Sequence, residues 1–353
     1  MTSFFSRNLI AWYRLNKRDL PWRSTNDPYL IWLSEVILQQ TQVSQGLPYY
    51  LAFTARFPDV RSLAQAEEDE VMKLWQGLGY YSRARNMHAA AKFISEELKG
   101  AFPSTFQGLR SLKGVGDYTA AAIASIAFGL PHAVVDGNVY RVLSRFFGVY
   151  TAIDTPAGRS EFAQLAHSQL NINEPSRHNQ AVMELGALVC RPVAPACEEC
   201  PLKQKCVAFK TGSVAALPVK QKKVKTRNRH FNYLVMADSS GKVHVEKREG
   251  RDIWQGLYQF RLLETENAVN PDQFLKRKEV YEECGDRFTV KHVSEPYTHI
   301  LTHQRLHARF YVIESRTSRP RGGVRPDELD RLAFPRLISR FLEDCDLKEM
   351  FYF

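Results

Sequence analysis

The chain has 353 residues, more than one hydrophobic core usually organises, so we expect two domains or three. A content of 44% hydrophobic and 24% charged residues argues against disorder over most of the length, and no apolar run reaches the roughly 18 residues of a transmembrane helix. The 48 Lys and Arg residues against 38 Asp and Glu give a net charge of +10, which favours a polyanionic partner such as nucleic acid.

The first two hundred residues predict helices joined by short connections. Apolar residues recur at helical spacing at Phe5, Leu9 and Trp12, and the pattern continues from Trp32 to Leu78. Proline and glycine residues interrupt it at short intervals, as between the helices of a compact domain. Arg7 and other charges interrupt the first apolar stretch, so we expect no secretory signal.

The helical pattern ends near Thr211. The run Lys220–Arg229 contains six basic residues and no acid, as expected of a solvated linker. Beyond His230, segments rich in Val, Tyr, Phe and Leu predict strands, with a single helix over Asp272–Cys284. The predicted strands are Phe231–Met236, Lys242–Lys247, Gly256–Leu263 and His303–Ser315. We therefore predict a helical domain of residues 1–210, a basic linker of residues 211–229 and a small α+β domain of residues 230–353.

Four of the six cysteines are close together, at Cys190, Cys197, Cys200 and Cys206. Cysteines grouped in this way in a reducing compartment predict a metal or cluster site and not a disulfide framework. Four thiolates can complete a tetrahedral zinc site or hold a [4Fe–4S] cluster. Zinc sites favour two closely spaced pairs, whereas only the middle pair here has the two-residue spacing.

A glycine-rich turn and an aspartate follow one another in the helical half. Gly114 and Gly116 permit a tight hairpin, and the amides that open the next helix are suitable donors to phosphate. About twenty residues later, Asp136 precedes the predicted helix Gly137–Phe146, where taken alone it would be an ordinary helix cap.

The hairpin, the aspartate and the cysteine loop occur in the order found in the helix-hairpin-helix DNA glycosylase superfamily, which this sequence resembles. The cysteine spacing is similar to the cluster loop of the endonuclease III family. The resemblance therefore implies a mainly α helix-hairpin-helix glycosylase domain, a [4Fe–4S] cluster held by the four cysteines, and a catalytic role for Asp136.

Glu35 is the second candidate acid. It lies in a mostly apolar stretch, where desolvation raises a carboxyl pKa toward the value that a general acid needs, although it could instead be an ordinary exposed helix glutamate. By the resemblance, Glu35 protonates N7 of adenine so that the base leaves neutral. Asp136 then stabilises the oxocarbenium-like sugar or traps it covalently. We place Tyr118 and Asn138 in the same catalytic group.

Four stretches narrow the resemblance to MutY-type adenine DNA glycosylases: Leu20–Arg23, Trp32–Val43, Gly77–Asn86 and Asn179–Gly186. The resemblance covers nearly the whole chain and implies a duplex DNA substrate in which adenine faces 8-oxoguanine or guanine and is flipped out of the helix. It places Trp22, Arg23 and Gln180 in the adenine pocket. The residues that it implies for contacts with DNA or the lesion are Gln40, Thr41, Leu78, Tyr80, Gly114, Gly116, Thr302 and His303.

Tyr118 indicates a monofunctional enzyme. Bifunctional relatives that also cut the strand carry a lysine two residues after the second hairpin glycine, and Tyr118 occupies that position here. Lys113 is nearby but lies inside the hairpin. The sequence therefore favours base excision without strand cleavage.

The C-terminal half resembles the Nudix-related domain of the same family, which recognises 8-oxoguanine. Thr302 retains a hydroxyl for hydrogen bonding to a base, but Leu301 replaces an aromatic residue that is common in the family. The segment Lys278–Gly285 is similar to the end of a Nudix hydrolase motif, but its upstream glycine and glutamate are missing, so we expect no pyrophosphohydrolase activity.

Two alternatives remain at this point. One is a bifunctional glycosylase/lyase similar to endonuclease III, and the other is a non-catalytic DNA-binding iron–sulfur protein, for which neither Glu35 nor Asp136 would be needed. We expect a monomer in the cytoplasm, at the nucleoid if the source is bacterial, with no membrane partner.

Overall fold

The computed structural model describes residues 3–221, 226–315 and 323–351. Part of the predicted basic run Lys220–Arg229 therefore lies outside the described residues. The chain divides into two compact units, Met1–Gln65 with Asn86–Lys222 and Ala66–Arg85 with Lys223–Phe353. Within the part of the chain that is described, no helix combines the length and the apolar character needed to cross a bilayer.

The first unit is helical, as the sequence predicts. Its helices lying wholly within the unit are α1 (Phe4–Asn16), α2 (Pro28–Leu38), α3 (Val43–Arg56), α4 (Val60–Gln65), α7 (Phe106–Arg110), α8 (Asp117–Ile126), α9 (Gly137–Phe147), α10 (Pro156–Gln169), α11 (Pro175–Leu188) and α12 (Val207–Lys210). Between α4 and α7 the chain passes through the second unit. Helix α5 (Glu68–Leu74) lies entirely in the second unit, and helix α6 (Ser82–Glu96) begins in the second unit and ends in the first.

Local signals set the ends of the helices that carry the site. At α2, the Asp27 side chain accepts a hydrogen bond from the amide of Tyr29, and Pro28 occupies the first turn. Helix α9 begins after Asp136 and ends at Gly148, whose φ of 70° is the left-handed conformation that glycine adopts without strain. Helices α1, α8, α9 and α11 contribute to one core that includes Phe5, Leu143 and Leu185.

The second unit is built on a seven-stranded sheet. Its strands are β1 (Arg227–Ala237), β2 (Val243–His244), β5 (Arg261–Thr265), β6 (Phe288–Val293), β7 (Tyr297–Ile300), β8 (Gln304–Ser315) and β9 (Gly323–Val324), while β3 (Glu246–Lys247) and β4 (Tyr258–Gln259) form a separate pair. Strand β1 runs parallel to β8, with Phe231 opposite Ala308. The remaining pairings are antiparallel. Most of β1 is buried because it lies in the interior of the sheet.

Besides α5, the described residues of this unit form the helices α13 (Pro271–Leu275), α14 (Lys278–Cys284), α15 (Arg336–Asp344) and α16 (Leu347–Phe351). The single helix expected over Asp272–Cys284 is wrong, since α13 ends and α14 begins around an extended Arg277. Both Phe274 and Val280 are buried in the core of this unit. If one continuous helix carried both residues, their separation of six positions would place them on different sides of that helix. The break between α13 and α14 allows both side chains to reach the core.

The compact units differ from the predicted domain boundaries in one respect. Residues 66–85, within the predicted helical domain, belong to the second unit. Asp69 accepts a hydrogen bond from the Tyr258 hydroxyl at 2.8 Å and pairs with Lys247, and Gln76 donates to Ser339 at 2.8 Å. These long-range polar contacts join α5 and the loop after it to the sheet, which no local sequence pattern indicates.

Candidate functional site

One large cavity in the first unit contains most of the predicted catalytic residues. Counting its open mouth, it has a volume of about 2130 Å³. The predicted residues that line it are Trp22, Arg23, Glu35, Gln40, Thr41, Tyr118, Asp136, Asn138 and Gln180. The structure therefore brings together residues that are up to 158 positions apart in the chain.

Glu35 lies on α2 and is buried, with 8% of its surface exposed, so the alternative of an exposed helix glutamate is excluded. The Tyr118 hydroxyl donates to its Oε2 at 2.7 Å and also approaches the Met183 sulfur at 3.3 Å. Burial raises the pKa of Glu35 to about 7, and nearby Asp136 adds to this rise, although the hydrogen bond from Tyr118 acts in the opposite direction. Near neutral pH, Glu35 can therefore carry a proton to donate.

Asp136 caps α9 and accepts two hydrogen bonds. The Val139 amide donates to Oδ1 at 2.7 Å, and the Asn138 side-chain amide donates to Oδ2 at 2.8 Å. Burial raises the pKa of Asp136, whereas these two donors and the positive charge of Arg141 stabilise its anionic form. The helix cap that the sequence suggests is thus present, and the same carboxylate also faces the cavity.

Asn138 has a fixed orientation because both ends of its amide are bonded. Its Oδ1 accepts a hydrogen bond from Arg141 Nη2 at 2.8 Å while its Nδ2 donates to Asp136. Arg141 in turn donates to the Cys190 carbonyl at 2.6 Å and to the Gly186 carbonyl at 2.8 Å. A chain of hydrogen bonds thus connects Asp136 with the backbone of the first cysteine.

The predicted pocket residues lie beside an acid that the sequence analysis did not assign. Glu184, on α11, is 1% exposed. Its Oε2 atom accepts a hydrogen bond of 2.6 Å from Nη2 of Arg18 and another of 2.6 Å from Nη2 of Arg23. Burial acts to raise the pKa of Glu184, but the hydrogen bonds from Arg23 and Arg18 lower it to about 2. Gln180, one turn earlier on α11, accepts from the Tyr13 hydroxyl at 3.0 Å.

Trp22 and the end of α2 form further parts of the wall. Trp22 is buried and packs edge-on against Tyr50 at 4.9 Å between ring centroids, so it has a packing role as well as a place in the cavity. Gln40 follows α2 with φ of 55°, in the left-handed region, and Thr41 comes directly after it. This turn brings both polar side chains to the cavity.

The predicted hairpin lies between α7 and α8. Gly114 has φ of 80°, and a Cβ atom at this position would lie 2.7 Å from the Cβ of Asn86, so only glycine fits. Gly116 precedes α8, whose first turn has no side-chain cap and hence exposes backbone amides. Lys113 is exposed in the hairpin, away from the residues that line the cavity.

All four predicted cysteines line one small cavity. Its volume is about 320 Å³ counting its open side, and Arg145 is part of its wall. No group of three or more His, Cys, Asp or Glu side chains in the described residues is placed to hold a single metal ion. Four thiols that line one space are a donor set that fits a [4Fe–4S] cluster.

Arg145 connects the cysteine loop with other segments of the first unit. It is 3% exposed, and its Nη1 lies 3.4 Å from the Cys190 sulfur and donates to the Arg191 carbonyl at 2.8 Å. Its Nε donates to the Leu217 carbonyl at 3.1 Å. Part of the predicted linker is therefore held against the cysteine loop.

The remaining predicted contact residues lie in the second unit. The Tyr80 and Thr302 hydroxyl groups are 2.8 Å apart, and both side chains are exposed. Tyr80 is 51% exposed, which excludes the alternative that it is a core residue. His303 is exposed next to Thr302, whereas Leu78 is buried within the unit.

Acids of the Nudix-like segment are held in ion pairs. Glu283, on α14, accepts from Arg261 at 2.5 Å, and Glu282 pairs with Lys278 at 2.9 Å. Arg261 also pairs with Glu246 at 3.4 Å. The Glu283–Arg261 pair connects α14 with β5, whereas the Glu282–Lys278 pair lies within α14.

Sequence reasoning missed Glu184, Arg18, Met183 and Arg141 as site residues. Glu184 lies within the Asn179–Gly186 stretch, where an acid in a helix resembles a surface charge. The signal that could have identified it is its place on the same side of α11 as Gln180, four residues earlier. Its two arginine partners are more than 160 positions away, so no local pattern indicates them.

Family comparisons agree with this geometry. Residues 33–166 match the HhH-GPD superfamily of base excision DNA repair proteins, and residues 232–344 match the NUDIX domain. The adenine DNA glycosylase of Buchnera aphidicola from Schizaphis graminum is 33% identical over 296 residues, which cover 81% of this chain and 85% of the relative. That of Homo sapiens is 44% identical over 213 residues, which cover 58% of this chain and 39% of the relative.

Solved structures show the same fold in the helical part. A thermostable thymine-DNA glycosylase superposes with a TM-score of 0.55 at 27% identity, covering 59% of this chain and 95% of that protein. An endonuclease III in a trapped covalent complex with DNA superposes with a TM-score of 0.52 at 20% identity, covering 60% of this chain and 99% of that protein. These comparisons confirm the predicted resemblance and the predicted fold class.

Proposed function

Since the chain belongs to the adenine DNA glycosylase family of base excision repair enzymes, we propose that it removes adenine paired with 8-oxoguanine or guanine in duplex DNA. In this proposal the enzyme hydrolyses the N-glycosidic bond of a flipped adenine and leaves the strand intact. The observation that carries the proposal is that Glu35 and Asp136 line one cavity with Tyr118, and that no lysine is among the described residues that line it.

Glu35 is the proposed general acid. Adenine is a poor leaving group as an anion, so a proton delivered to N7 lowers the barrier to its departure. A carboxyl group with a pKa of about 7 is about half protonated at neutral pH, so a large fraction of the enzyme can deliver that proton. Tyr118 supports this role because its hydroxyl holds one oxygen of Glu35 in place.

Asp136 is the proposed partner of the sugar. As the base leaves, the sugar gains positive charge, and a carboxylate held in a fixed orientation stabilises that charge. The donors Asn138 and Val139 orient the carboxylate before the reaction begins. This arrangement supports either electrostatic stabilisation or a covalent intermediate.

The wall around Glu184 is the proposed adenine pocket. Adenine would have to leave the base stack to reach Glu35, at a cost of a few kcal/mol. Arg23, Trp22 and Gln180 offer a cation, a flat ring and an amide to a flipped base. Glu184 keeps Arg23 from moving freely because two hydrogen bonds join them.

The four cysteines are the proposed ligands of a [4Fe–4S] cluster, and their place around one cavity supports that assignment. When bound, the cluster would join four points of the loop and so stabilise it. The glycine hairpin with the amides of α8 is the proposed site of contact with the DNA backbone. We propose that Thr302 and His303 contact the opposite base, and that the enzyme acts as a monomer in the cytoplasm.

A panel of duplexes tests the proposal. Adenine would be placed opposite 8-oxoguanine, guanine and thymine, and an oxidised pyrimidine opposite guanine, with free base detected by mass spectrometry. We expect adenine release opposite 8-oxoguanine and guanine, with an intact strand until alkali is added. Release of the oxidised pyrimidine with spontaneous strand cleavage would favour the glycosylase/lyase alternative, and release of no base would favour the DNA-binding alternative.

A further inference from the structure

Tyr80 is exposed on a turn of unusual backbone conformation. Its φ is 49°, and the two preceding glycines, Gly77 and Gly79, have φ of 94° and 80°. A left-handed φ is unfavourable for a tyrosine, because its Cβ approaches the following carbonyl oxygen. A non-glycine residue keeps this conformation only where neighbouring contacts hold it there.

Arg83 supplies several of these contacts. Its Nη2 donates to the Gly79 carbonyl at 3.1 Å, and its backbone amide donates to the Tyr80 carbonyl at 2.9 Å. Its guanidinium carbon lies 5.6 Å from the centroid of the Tyr80 ring and 5.0 Å from that of the Trp75 ring. One side chain thus contacts the turn and both aromatic rings.

Arg83 is itself held in a fixed environment. It is only 9% exposed, and Trp75 beside it is fully buried. The Trp75 indole nitrogen donates to the same Gly79 carbonyl at 3.0 Å. Burial lowers the pKa of Arg83 to about 10, so the guanidinium remains positively charged at neutral pH and its attraction to the rings persists.

The far end of Tyr80 meets the loop that carries the proposed lesion contacts. Its hydroxyl lies 2.8 Å from the Thr302 hydroxyl, and Thr302 and Tyr80 belong to the same compact unit. The ring is thus supported by a cation at one side and bonded to Thr302 at its tip. Its orientation is fixed before any DNA arrives.

We propose that Arg83 is a positioning residue that holds Tyr80 against Thr302, so that the two act as one unit in distinguishing 8-oxoguanine from guanine opposite adenine. The inference rests on the proposed function. Arg83 need not contact DNA, because its effect passes through the Tyr80 ring. A planar guanidinium can lie against a ring and donate to a carbonyl at the same time, which the compact ammonium of lysine does less well.

A double-mutant cycle tests this inference. Single-turnover rates of adenine release from duplexes with 8-oxoguanine or guanine opposite adenine would be measured for the wild type, Arg83→Met, Tyr80→Leu and the double variant. We expect Arg83→Met to reduce the preference for 8-oxoguanine roughly five- to tenfold, the size of effect that a cation–π contact supports. In the Tyr80→Leu background the same change should have almost no effect, because the ring on which Arg83 acts is gone.

Two further variants separate positioning from general stability. Arg83→Lys keeps the charge but should still reduce the preference for 8-oxoguanine several-fold. If Arg83→Met unfolds, Arg83→Lys takes its place in the cycle. Arg340→Lys is the matched control, since Arg340 lies 5.5 Å over the ring of Tyr297 in the same unit, and it should leave the preference unchanged. Each variant's thermal unfolding midpoint would be measured alongside.

The outcomes distinguish this inference from the proposed function. A wild type that releases adenine equally fast opposite 8-oxoguanine and guanine would remove the proposed lesion recognition itself. A wild type that discriminates, together with Arg83 variants that discriminate equally well, would overturn only the role of Arg83. The role of Arg83 would also be overturned if Arg83→Met reduced the preference for 8-oxoguanine as much in the Tyr80→Leu background as in the wild type.

Discussion

Glu35 and Asp136 share one cavity but have different partners. Glu35 accepts one hydrogen bond, from a tyrosine hydroxyl, in a buried position on α2. Asp136 accepts two N–H hydrogen bonds at the first turn of α9, where the helix dipole also favours a negative charge. Glu35 can therefore hold a proton near neutral pH, while Asp136 has two N–H donors that stabilise its anionic form against the effect of burial; two-carboxylate glycosidic chemistry needs such a difference.

Removing either acid by the smallest possible change tests this division of roles. Asp136→Asn retains shape and helix-capping ability but lacks the charge, so adenine release should fall at least about 1000-fold while DNA affinity persists. Glu35→Gln cannot donate a carboxylic proton and should lose roughly 100- to 10,000-fold. Single-turnover kinetics with a gel-shift measurement of affinity would check both.

Glu161→Gln is the matched control for these variants, since Glu161 is an exposed acid on α10, outside the cavity. It should leave the rate unchanged. If Glu35→Gln or Asp136→Asn released adenine at nearly the wild-type rate, the role assigned to that residue would be wrong.

Tyr118 allows a gain-of-function test. A phenol cannot form a Schiff base with the opened sugar, whereas an amine can. Tyr118→Lys places an amine at the start of α8, where the helix N-terminus lowers the amine pKa and so favours the nucleophilic form. We expect borohydride to trap DNA adducts with this variant and some strand cleavage. Equally efficient trapping and cleavage by the wild type would contradict a monofunctional enzyme, and Lys113 would then be the first residue to examine.

The sequence identifies residues whose type and spacing carry chemical meaning, and misses those defined only by contacts. Glu35 is a candidate because it is an acid in an apolar stretch, and Asp136 becomes one through the family resemblance, since taken alone it predicts only a helix cap. Glu184 was not found, because its arginine partners lie near the start of the chain while it lies on α11. Its burial becomes visible only once α1 and α11 pack together.

Among the elements, the cysteine loop has little regular secondary structure, although Leu202 is buried in the core of the first unit and Cys190, Cys200 and Cys206 pack against that core. Only two short 3-10 turns, Cys197–Glu199 and Lys203–Lys205, lie between its second and fourth cysteines. Polar contacts of Arg145 and Arg141 hold its start. We therefore expect the loop to depend on its bound group for order.

Cys200→Ser tests that dependence. Loss of one thiolate should reduce the iron bound per chain, increase hydrogen exchange across residues 190–206 and weaken DNA binding by about tenfold or more. The purified wild type should be brown. Cys345→Ser is the control, since Cys345 lies in the second unit, and it should change none of these properties. A colourless, zinc-loaded and fully active wild type would contradict the cluster assignment.

Element boundaries show a similar limit of sequence reasoning. Strand β8 and helix α9 begin and end within one residue of the predicted positions, because turn residues and hydrophobic periodicity mark them. The predicted strands Lys242–Lys247 and Gly256–Leu263 are each divided in two, and β6 and β7 were not predicted. The break between α13 and α14 was not predicted, since the residues around Arg277 contain neither proline nor glycine. The break allows Phe274 and Val280 to pack together in the core of the second unit, and this packing involves residues from the whole of that unit.

At the scale of the whole molecule, the assignment of residues 66–85 to the second unit changes how lesion recognition should be tested. Deleting residues 230–353 would remove the partners of Asp69 and Gln76 as well as that of Tyr80, and so perturb more than lesion contacts. Point variants in the full chain are the cleaner experiment. The match to the NUDIX domain over residues 232–344 could not indicate this, because the partner segment precedes it by about 150 residues.

Thr302→Val is such a variant. It preserves size but removes the hydroxyl that meets Tyr80, so the preference for 8-oxoguanine over guanine should fall roughly two- to tenfold, the value of one hydrogen bond, while excision opposite guanine is retained. Thr298→Val, an exposed threonine of β7, should leave the preference unchanged. An unaltered preference in Thr302→Val would place recognition of the lesion elsewhere.

The pH dependence of single-turnover adenine release from a duplex with adenine opposite 8-oxoguanine tests the central claim most directly. The general acid acts only when protonated, and burial raises the pKa of Glu35 to about 7, so the rate should be high below this pH and fall as pH rises through it. In Glu35→Gln the residual rate should lose this decline. A wild-type rate that rises with pH through neutrality, or a decline that persists unchanged in Glu35→Gln, would contradict the assignment of Glu35 as the acid that releases adenine.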